Sequence, residues 1–578
     1  VRKALFVENQ RNIIVAIVLS ALVLFGWPVL AERFFPQPKP VEQAASAPAA
    51  ASGAPTAAAP VKLKDRAAVI AATPRLPIET AALKGSINLA GAQLDDLVLV
   101  RHRESVKKDS APVRLLSPGG AEGSYFARFG WTGDGVALPG ADTVWTAEGA
   151  KLTPETPVTL KWDNGAGQIF SIRIAVDQDY LFSVEQSVAN SGAGAVALAN
   201  YGLVSREKTK VASGSSLVPN KDVDSWTLHI GPIGQFDDAV NYEVDYSTLD
   251  EEGAKGSRFG ANTGWLGFGE TYWLTALVPA KGGVAESGFR HSPTSYQADF
   301  GSKPVVVAPG KAVSAKSQFF AGAKEINVLD RYEEGGIPLF GKSIDWGWFE
   351  VIEKPIFRLL DWLFKAVGNF GFAIILMTFV VRGLMFPIAQ RQFASMAAMR
   401  GVQPKMKAIQ ERFKDDKQRQ QQEIMKLYQT EKINPLAGCL PIFLQIPVFY
   451  GLYKVLMVTI EMRHAPFIGW LKDLSAPDPL TPVNLFGLLD FTPPSFLALG
   501  ILPILLGITM YLQFKLNPAP MDPAQAQVFA IMPWIMMFMM APFASGLQLY
   551  WTVSNLLTIA QQKWLYSRHP ALTEPVKT

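Results

Sequence analysis

The stretch FAIILMTFVVRGLMFPIA, Phe372 to Ala389, has the composition of a membrane-spanning helix, yet Arg382 stands inside it. Its apolar length assigns the chain to a membrane, and its one charge raises the question of function. An arginine at a helix centre costs roughly 2.5–3.5 kcal/mol on insertion scales. Two accounts compete. If the helix enters the hydrocarbon near Lys365, Arg382 lies close to the inner surface and snorkels. If it enters near Gly371, Arg382 lies about 17 Å deep at ~1.5 Å per residue. That is just past the middle of a core roughly 30 Å thick.

Outward from this stretch, hydrophobic segments recur at about Phe370–Ala389, Leu436–Val458, Phe496–Leu516, Val528–Phe543 and Leu547–Leu565. An earlier apolar run, Ile13 to Leu30, follows Arg2, Lys3 and Arg11. It reads as an uncleaved anchor with its N-terminus inside, a cleaved signal peptide being the alternative. Residues 390–435 carry ten Lys/Arg against five Asp/Glu, whereas the outer loop EMRHAPFIGWLKDLSAPDP has no such excess. The asymmetry places residues 390–435 and the C-terminus inside. The inner segment is rich in helix formers, with a polar break near Asp415–Asp416, and is expected to form a helical hairpin.

Between anchor and spans the pattern changes twice. Pro36 to about Ile78 is Ala/Pro-rich and lacks the large apolar residues a core needs, so it reads as a tether. From Glu79 to Tyr332, short runs alternate apolar and polar residues between Gly, Asp and Asn turns. IFSIRIAVDQDYLFSVEQSVANSG, with its turn at Asp177–Asp179, is the clearest hairpin. A large β-sandwich is expected there. Then Glu350, Lys354, Arg358, Asp361 and Lys365 form one polar stripe on an otherwise apolar helix, which suits a helix in the membrane interface, the alternative being an ordinary amphipathic helix packed on the β domain.

The 578 residues have a mean hydropathy of +0.15 and half are apolar, which fits a membrane protein. The net charge of +4 is too small to argue for nucleic acid, and the single cysteine, Cys439, excludes an intramolecular disulfide. No Walker-type loop or metal-ligand cluster is present. None of the five C-terminal hydrophobic segments contains Asp, Glu or His, which argues against a proton-coupled transporter. Ser545 has no base near it for a serine-protease reading. Lys454 lies near the outer end of its helix, where it can snorkel.

With no acid to pair it, Arg382 must face water, polar side chains or something that arrives. Thr378 lies one turn before it, and Gln445 lies in the next span. Gln548, Thr552, Asn555 and Ile559 share one face of the last span. Together these would line a wet groove; each alone reads first as an ordinary interhelical hydrogen bonder. The segment holding Met532, Met536, Met537, Met539 and Met540 suits a surface that accepts varied apolar partners, or plain lipid-facing packing.

Five stretches carry a resemblance: QRNIIVAIVL, GNFGFAIILMTFVVRG, NPLAGCLPIFLQIPVFYGLY, DLSAPDP and SGLQLYWTVSNLLTIAQQ. They closely resemble the YidC family of membrane protein insertases, in its Gram-negative form with a large periplasmic domain. The resemblance implies a polytopic α-helical membrane protein of six transmembrane helices with a five-helix insertase core. Its periplasmic domain would be an all-β supersandwich similar to sugar-mutarotase folds. The expected boundaries are an anchor at 1–31, a linker at 32–78, the β-sandwich at 79–332 and an interfacial helix at 343–368. The core then runs 369–566, with the cytoplasmic hairpin at 390–435, and the tail 567–578.

The resemblance also implies a mechanism. Arg382 would sit in a hydrophilic groove open to the cytoplasm and to lipid, and attract acidic residues in a client's translocating tail. Thr378 and Trp551 match groove positions; a tyrosine often stands at the latter in relatives, so no hydroxyl role carries over. Gln445 and Asn555 complete the expected groove. Clients would slide out along Ile446 and Phe449 on one span and Met536 and Met540 on another. The implied partners are nascent membrane proteins, the bilayer, the Sec translocon and, through the cytoplasmic loops, the ribosome. The C-terminal SRHPALTEPVKT carries no long basic run for that contact. No cofactor, metal, catalytic residue or direct nucleic-acid contact is implied. The alternatives are an anion-binding membrane transporter, and a sugar-binding envelope protein that His102, His229 and His291 support poorly. Deleting about Ala81–Asp330 separates insertion from sugar binding.

Overall fold

The computed structural model describes residues 65–208, 228–414, 416–431, 440–486, 488–489, 499–516 and 523–568. The expected anchor 1–31, most of the linker and the tail from His569 lie outside them, as do the starts of the segments from 436 and 496. The described residues form two compact units: the residues up to Asp345 together with Val458–Ile460, and the remaining residues from Trp346 on.

The first unit is built on two antiparallel sheets. In the ten-stranded sheet the order is β1 (Arg75–Glu79), β2 (Leu83–Asn88), β3 (Gln93–Arg103), β5 (Tyr125–Thr132), β10 (Val196–Glu207), β17 (Ser295–Ser302), β16 (Val284–Ser292) and β13 (Ser257–Phe259). Off this path, β4 (Pro112–Leu116) pairs with β3 and β18 (Val305–Val307) with β10. The nine-stranded sheet runs β12 (Ala239–Asn241), β11 (Gly231–Phe236), β14 (Thr263–Gly269), β15 (Trp273–Pro279), β19 (Lys311–Ala323), β9 (Leu181–Asn190), β8 (Gln168–Val176), β7 (Val158–Asp163) and β6 (Thr146–Glu148). Alternation decides which face is buried. Along β8, Phe170, Ile172, Ile174 and Val176 are buried while Ile169 and Arg173 are exposed. The expected hairpin is β8–β9, with Val176 opposite Phe182 across the turn.

Two boundaries move. The first strand starts at Arg75, inside the segment read as tether, because RLPIE alternates against β2. At the other end the unit continues past Tyr332 to Asp345, whose carboxylate accepts from the His229 amide at 2.8 Å. Short helices α1 (Arg66–Ala71) and α2 (Tyr246–Glu252) were not expected; Asp65 and Asp245 cap them. They are too short for a helical period to register.

Helix α3 (Ile326–Glu334) docks on the β8–β9 turn through polar contacts. Tyr332 donates to Asp177 at 2.6 Å, and Arg331 and Arg101 both pair with Asp179, at 2.8 and 2.9 Å. Glu325, just before the helix, meets His102 at 3.2 Å and accepts from the Tyr180 hydroxyl. Burial would raise the Glu325 carboxyl, but its hydrogen bonds to His102 and Tyr180, with the Arg101 charge, hold it below the usual carboxylate range. A depressed carboxyl stabilises the fold above its unfolded pKa, and that contribution is lost as pH falls through the folded value. Glu325→Gln is therefore expected to cost about 1–3 kcal/mol at pH 7. The gap to wild type should close below about pH 4, read as Tm of the full-length protein against pH. A gap that persists at pH 3 would mean the loss is one of packing.

The second unit is helical. Helix α4 (Glu350–Val367) buries Ile356, Phe357, Leu360 and Leu363 and exposes Val351 and Trp362. Its polar stripe holds two i,i+4 ion pairs, Lys354–Glu350 and Lys365–Asp361, each at 2.6 Å. Helix α5 (Phe370–Arg412) runs 43 residues without a break. Asp416 caps α6 (Lys417–Thr430) by accepting from the Arg419 amide at 3.0 Å, and Lys405 pairs with Glu431 at 2.6 Å across the hairpin. Then come α7 (Leu440–Val458), α8 (Ile501–Leu516), α9 (Pro523–Met540) and α10 (Ser545–Arg568). By length and composition one described helix, Phe370–Gln390, is apolar enough to cross a membrane; Gln445–Val458, Ile501–Leu516 and Phe529–Met540 are shorter apolar stretches. The loop before α8 is drawn in by Asp478, which accepts from Trp470 Nε1 at 2.9 Å and the Leu502 amide at 2.8 Å.

Candidate functional site

Arg382 is half-buried on α5 and reaches α10. Its Nε donates to Ser554 Oγ at 2.9 Å, and Nη2 donates to the same oxygen. Among the described residues no carboxylate lies within ion-pair distance of it. A guanidinium has five donors, and one hydroxyl engages two of them. The rest meet no acceptor among the described residues. Thr378, one turn earlier, is fully buried, and its hydroxyl donates to its own helix at Ile374 O, 2.7 Å. It therefore helps pack α5 and presents no donor to a groove.

Gln445 on α7 meets α10 at Tyr550. Its Nε2 donates to the Tyr550 hydroxyl at 2.5 Å, and its Oε1 is buried with no partner among the described residues. One turn along α7, the Phe449 ring meets Trp551 edge-on at 4.9 Å between centroids. Arg382, Ser554, Tyr550 and Gln445 thus bring polar groups from three helices to one side of α10.

This side is not the one expected. Gln548, Thr552 and Asn555 were read as the groove-lining face. Instead Gln548 Nε2 ties down the end of α9, donating to Met540 O at 2.9 Å and Phe543 O at 2.8 Å. Asn555 is buried and donates to Thr509 of α8 at 3.2 Å, an interhelical bond. The Thr552 hydroxyl is buried without a partner among the described residues. Ser554, which holds Arg382, was missed. The signal was present: Tyr550, Ser554 and Thr558 recur every four residues. With polar residues on two faces of α10, periodicity alone had no means to choose.

The expected slide is mixed. Ile446 is 56% exposed, and Phe449 and Met536 are partly buried. Met540 is 2% exposed, packed where Gln548 caps α9, so it offers no surface to a client. The apolar surface of α9 is carried by Ile535, Phe538 and Met539. Lys454 does not snorkel: it is buried on α7, and Glu353 of α4 is buried as well.

The family described as 60Kd inner membrane protein matches residues 362–572, and that described as YidC periplasmic domain matches 75–359. A membrane protein insertase YidC of Zymomonas mobilis is 51% identical over 97% of this chain and 96% of that one. The chain belongs to the YidC family. A YidC of Rhizobium etli is 44% identical over 97% of this chain and 96% of its own. A crystal structure described as an active YidC insertase matches 94% of this chain and 98% of its own at 18% identity, with a TM-score of 0.36. Membership of the YidC family makes this a bacterial inner-membrane protein with a periplasmic β domain. The relatives' named role, insertion, is not an enzymatic one.

Proposed function

We propose that the protein inserts newly made membrane proteins into the bilayer and helps them fold, alone or beside the Sec translocon. The reading includes six spans with both termini cytoplasmic, and ribosome contact through the α5–α6 hairpin. The observation that carries it is Arg382: half-buried, held by a neutral hydroxyl, with donors left over and no carboxylate in range among the described residues. Such a group suits transient capture of an acidic residue in a client tail. Gln445, Tyr550, Ser554 and Trp551 are the groove's other members in this reading; Thr378 and Asn555 support it through packing. Ile446, Phe449 and Met536 begin the path into lipid, and Ile535, Phe538 and Met539 extend it in place of Met540. Transfer of a client's apolar span supplies the driving force, about 25 cal/mol per Å² buried. The groove shortens the path of the polar tail.

The test uses proteoliposomes holding only this protein and a small single-span client with an acidic tail. Protease protection of the client above the level of empty liposomes is expected. No excess over empty liposomes would remove autonomous insertion. Uptake of small anions without client protection would favour the transporter.

The Gln445–Tyr550 bond closes α7 against α10, so Tyr550→Phe is expected to change insertion two- to fivefold, about 0.4–1 kcal/mol. It should leave the Tm within about 2 °C. Equal insertion rates for variant and wild type would reduce the bond to ordinary packing.

A further inference from the structure

The loop between α7 and α8 has the opposite polarity to a loop in water. Thirteen of the described residues between Pro466 and Leu489 are exposed, and Lys472 is the one among them with a charged side chain. Seven are large and apolar, among them Ile468, Trp470, Leu485, Phe486 and, at 83% exposure, Leu488. The acids turn inward instead. Asp478 is buried and accepts from Trp470 Nε1 and from the Leu480 and Leu502 amides, at 2.9, 3.0 and 2.8 Å. Asp473 accepts from Ser475 Oγ at 2.7 Å and from the His464 amide at 3.2 Å. Aspartates are ordinarily exposed and leucines ordinarily buried.

The apolar tips stand on a fixed base. Asn369 Nδ2 donates to Pro466 O and Phe467 O, at 3.3 and 3.0 Å. A Cβ on Gly371 would overlap the Phe467 ring, so that ring packs directly on the first turn of α5. The Ser545 and Gly546 amides donate to Ala476 O and Leu474 O, at 2.7 and 2.9 Å, and tie the loop to the first turn of α10. Leu471 and Leu474 fill the space beneath.

The backbone suits a medium poor in water. Pro466, Pro477, Pro479 and Pro482 have no N–H to desolvate. The Phe467, Leu474 and Phe486 amides each donate within the loop at 2.9 Å, and the Leu489 amide at 3.1 Å. Leu485 and Phe486 hold left-handed backbone, at φ 50° and 60°, which large side chains rarely adopt. Both are exposed there.

A lipid surface accounts for this pattern. The loop joins two apolar helices of an inner-membrane protein, so its apolar surface continues theirs. Trp470 has its N–H satisfied inside the loop and its ring left outward, and Lys472 has the long stem that reaches headgroups. Irregular backbone does not enter deep hydrocarbon. Its place is therefore the boundary of headgroups and acyl chains, about 5–10 Å in.

We propose that residues 466–489 form a cap seated in the outer leaflet, with apolar tips among the upper acyl chains and Lys472 at the headgroups. The proposal rests on the reading of α7 and α8 as membrane spans. It also fixes where α5 enters the hydrocarbon. Phe467 packs on Gly371, so entry is there rather than near Lys365, and Arg382 lies about 17 Å in.

The test uses the full-length protein with Cys439→Ser, in nanodiscs, with one new cysteine carrying a nitrobenzoxadiazole dye. Labels at Ile468→Cys and at Leu488→Cys are expected to lose roughly half their emission to phosphatidylcholine spin-labelled near the glycerol end of its acyl chains. Aqueous iodide should quench them about threefold less than a label at Lys107→Cys, exposed in the turn between β3 and β4. A label at Leu505→Cys, exposed on α8, should be quenched by lipid as a span is. If Leu505 is quenched by lipid while both cap labels respond like Lys107, the cap lies in water. The proposal then falls alone, in favour of a protein partner for the tips. Stronger quenching of the cap labels by a spin label at the far end of the acyl chain overturns the boundary position. If lipid does not quench Leu505, α8 is not a span, and the six-span reading falls together with the cap.

Discussion

Arg382→Ala is expected to reduce insertion of an acidic-tailed client at least tenfold in proteoliposomes, with little loss of folding. Tenfold is about 1.4 kcal/mol, at the lower edge of the roughly 1.5–3 kcal/mol that a hydrogen bond to a charged group contributes. Folding should survive because the described partner of Arg382 is one neutral hydroxyl, Ser554. Removing the guanidinium leaves a serine able to bond within α10, and no buried carboxylate is orphaned among the described residues. Two further clients sharpen the result. A neutral-tailed version of the same client should insert about equally well with either protein. Arg382→Lys should recover part of the loss, since it keeps the charge and gives up the planar fork. If alanine and wild type insert the acidic client at equal rates, Arg382 is only a snorkelling residue and the charge-receptor role is wrong.

The second large effect lies in the β unit. Arg206 and Glu270 form an ion pair with side chains 3% and 10% exposed. Arg206 also lies over the Tyr125 ring, 4.8 Å from its centroid. Burial pushes the neighbouring Lys324 down to about 8, and Asp345 and Glu270 resist that shift. Glu270→Ala therefore removes the carboxylate that balances one buried cation and weakens the support of a second. Breaking a buried pair from one side costs about 3–5 kcal/mol, on the order of 10 °C in the Tm of a domain this size. The deficit should narrow, without vanishing, between pH 7 and 9. A lysine with a depressed folded pKa regains stability as pH rises, whereas arginine keeps its proton. Arg206→Met combined with Glu270→Leu should recover most of the loss, since both charges then leave together. A Glu270→Ala Tm within about 2 °C of wild type would show that water reaches Arg206.

Insertion by Glu270→Ala, assayed below its Tm, is expected to match wild type, because the groove residues belong to the other unit. Loss of insertion by Glu270→Ala below its Tm would instead tie the β unit to client handling.

Patterns with a short period were legible in the sequence. The alternation in IFSIRIAV and LFSVEQSV places β8 and β9, since each residue's face is decided two residues away. The apolar run around Arg382 likewise announces its own helix, and the stripe from Glu350 to Lys365 its own two faces. The long contiguous motifs were enough for the family. Choices between equally good local patterns required the tertiary structure. Ser554 and Asn555 are both polar and adjacent on α10, one residue and about 100° apart; only the positions of α5 and α8 decide that the first meets Arg382 and the second Thr509. Met536 and Met540 look alike in sequence, and the turn into α10 buries one of them. Lys454 reads as a snorkelling end residue until the packing around α7 encloses it. The row of charges Arg173, Glu185 and Lys316 could not be read from the chain at all, because it forms only through the register of β8, β9 and β19. The sequence alone determined which residues are apolar, charged or turn-forming, and hence the elements and the family. Which neighbour each side chain meets is a property of helix rotation and strand register, set by the packing of distant segments.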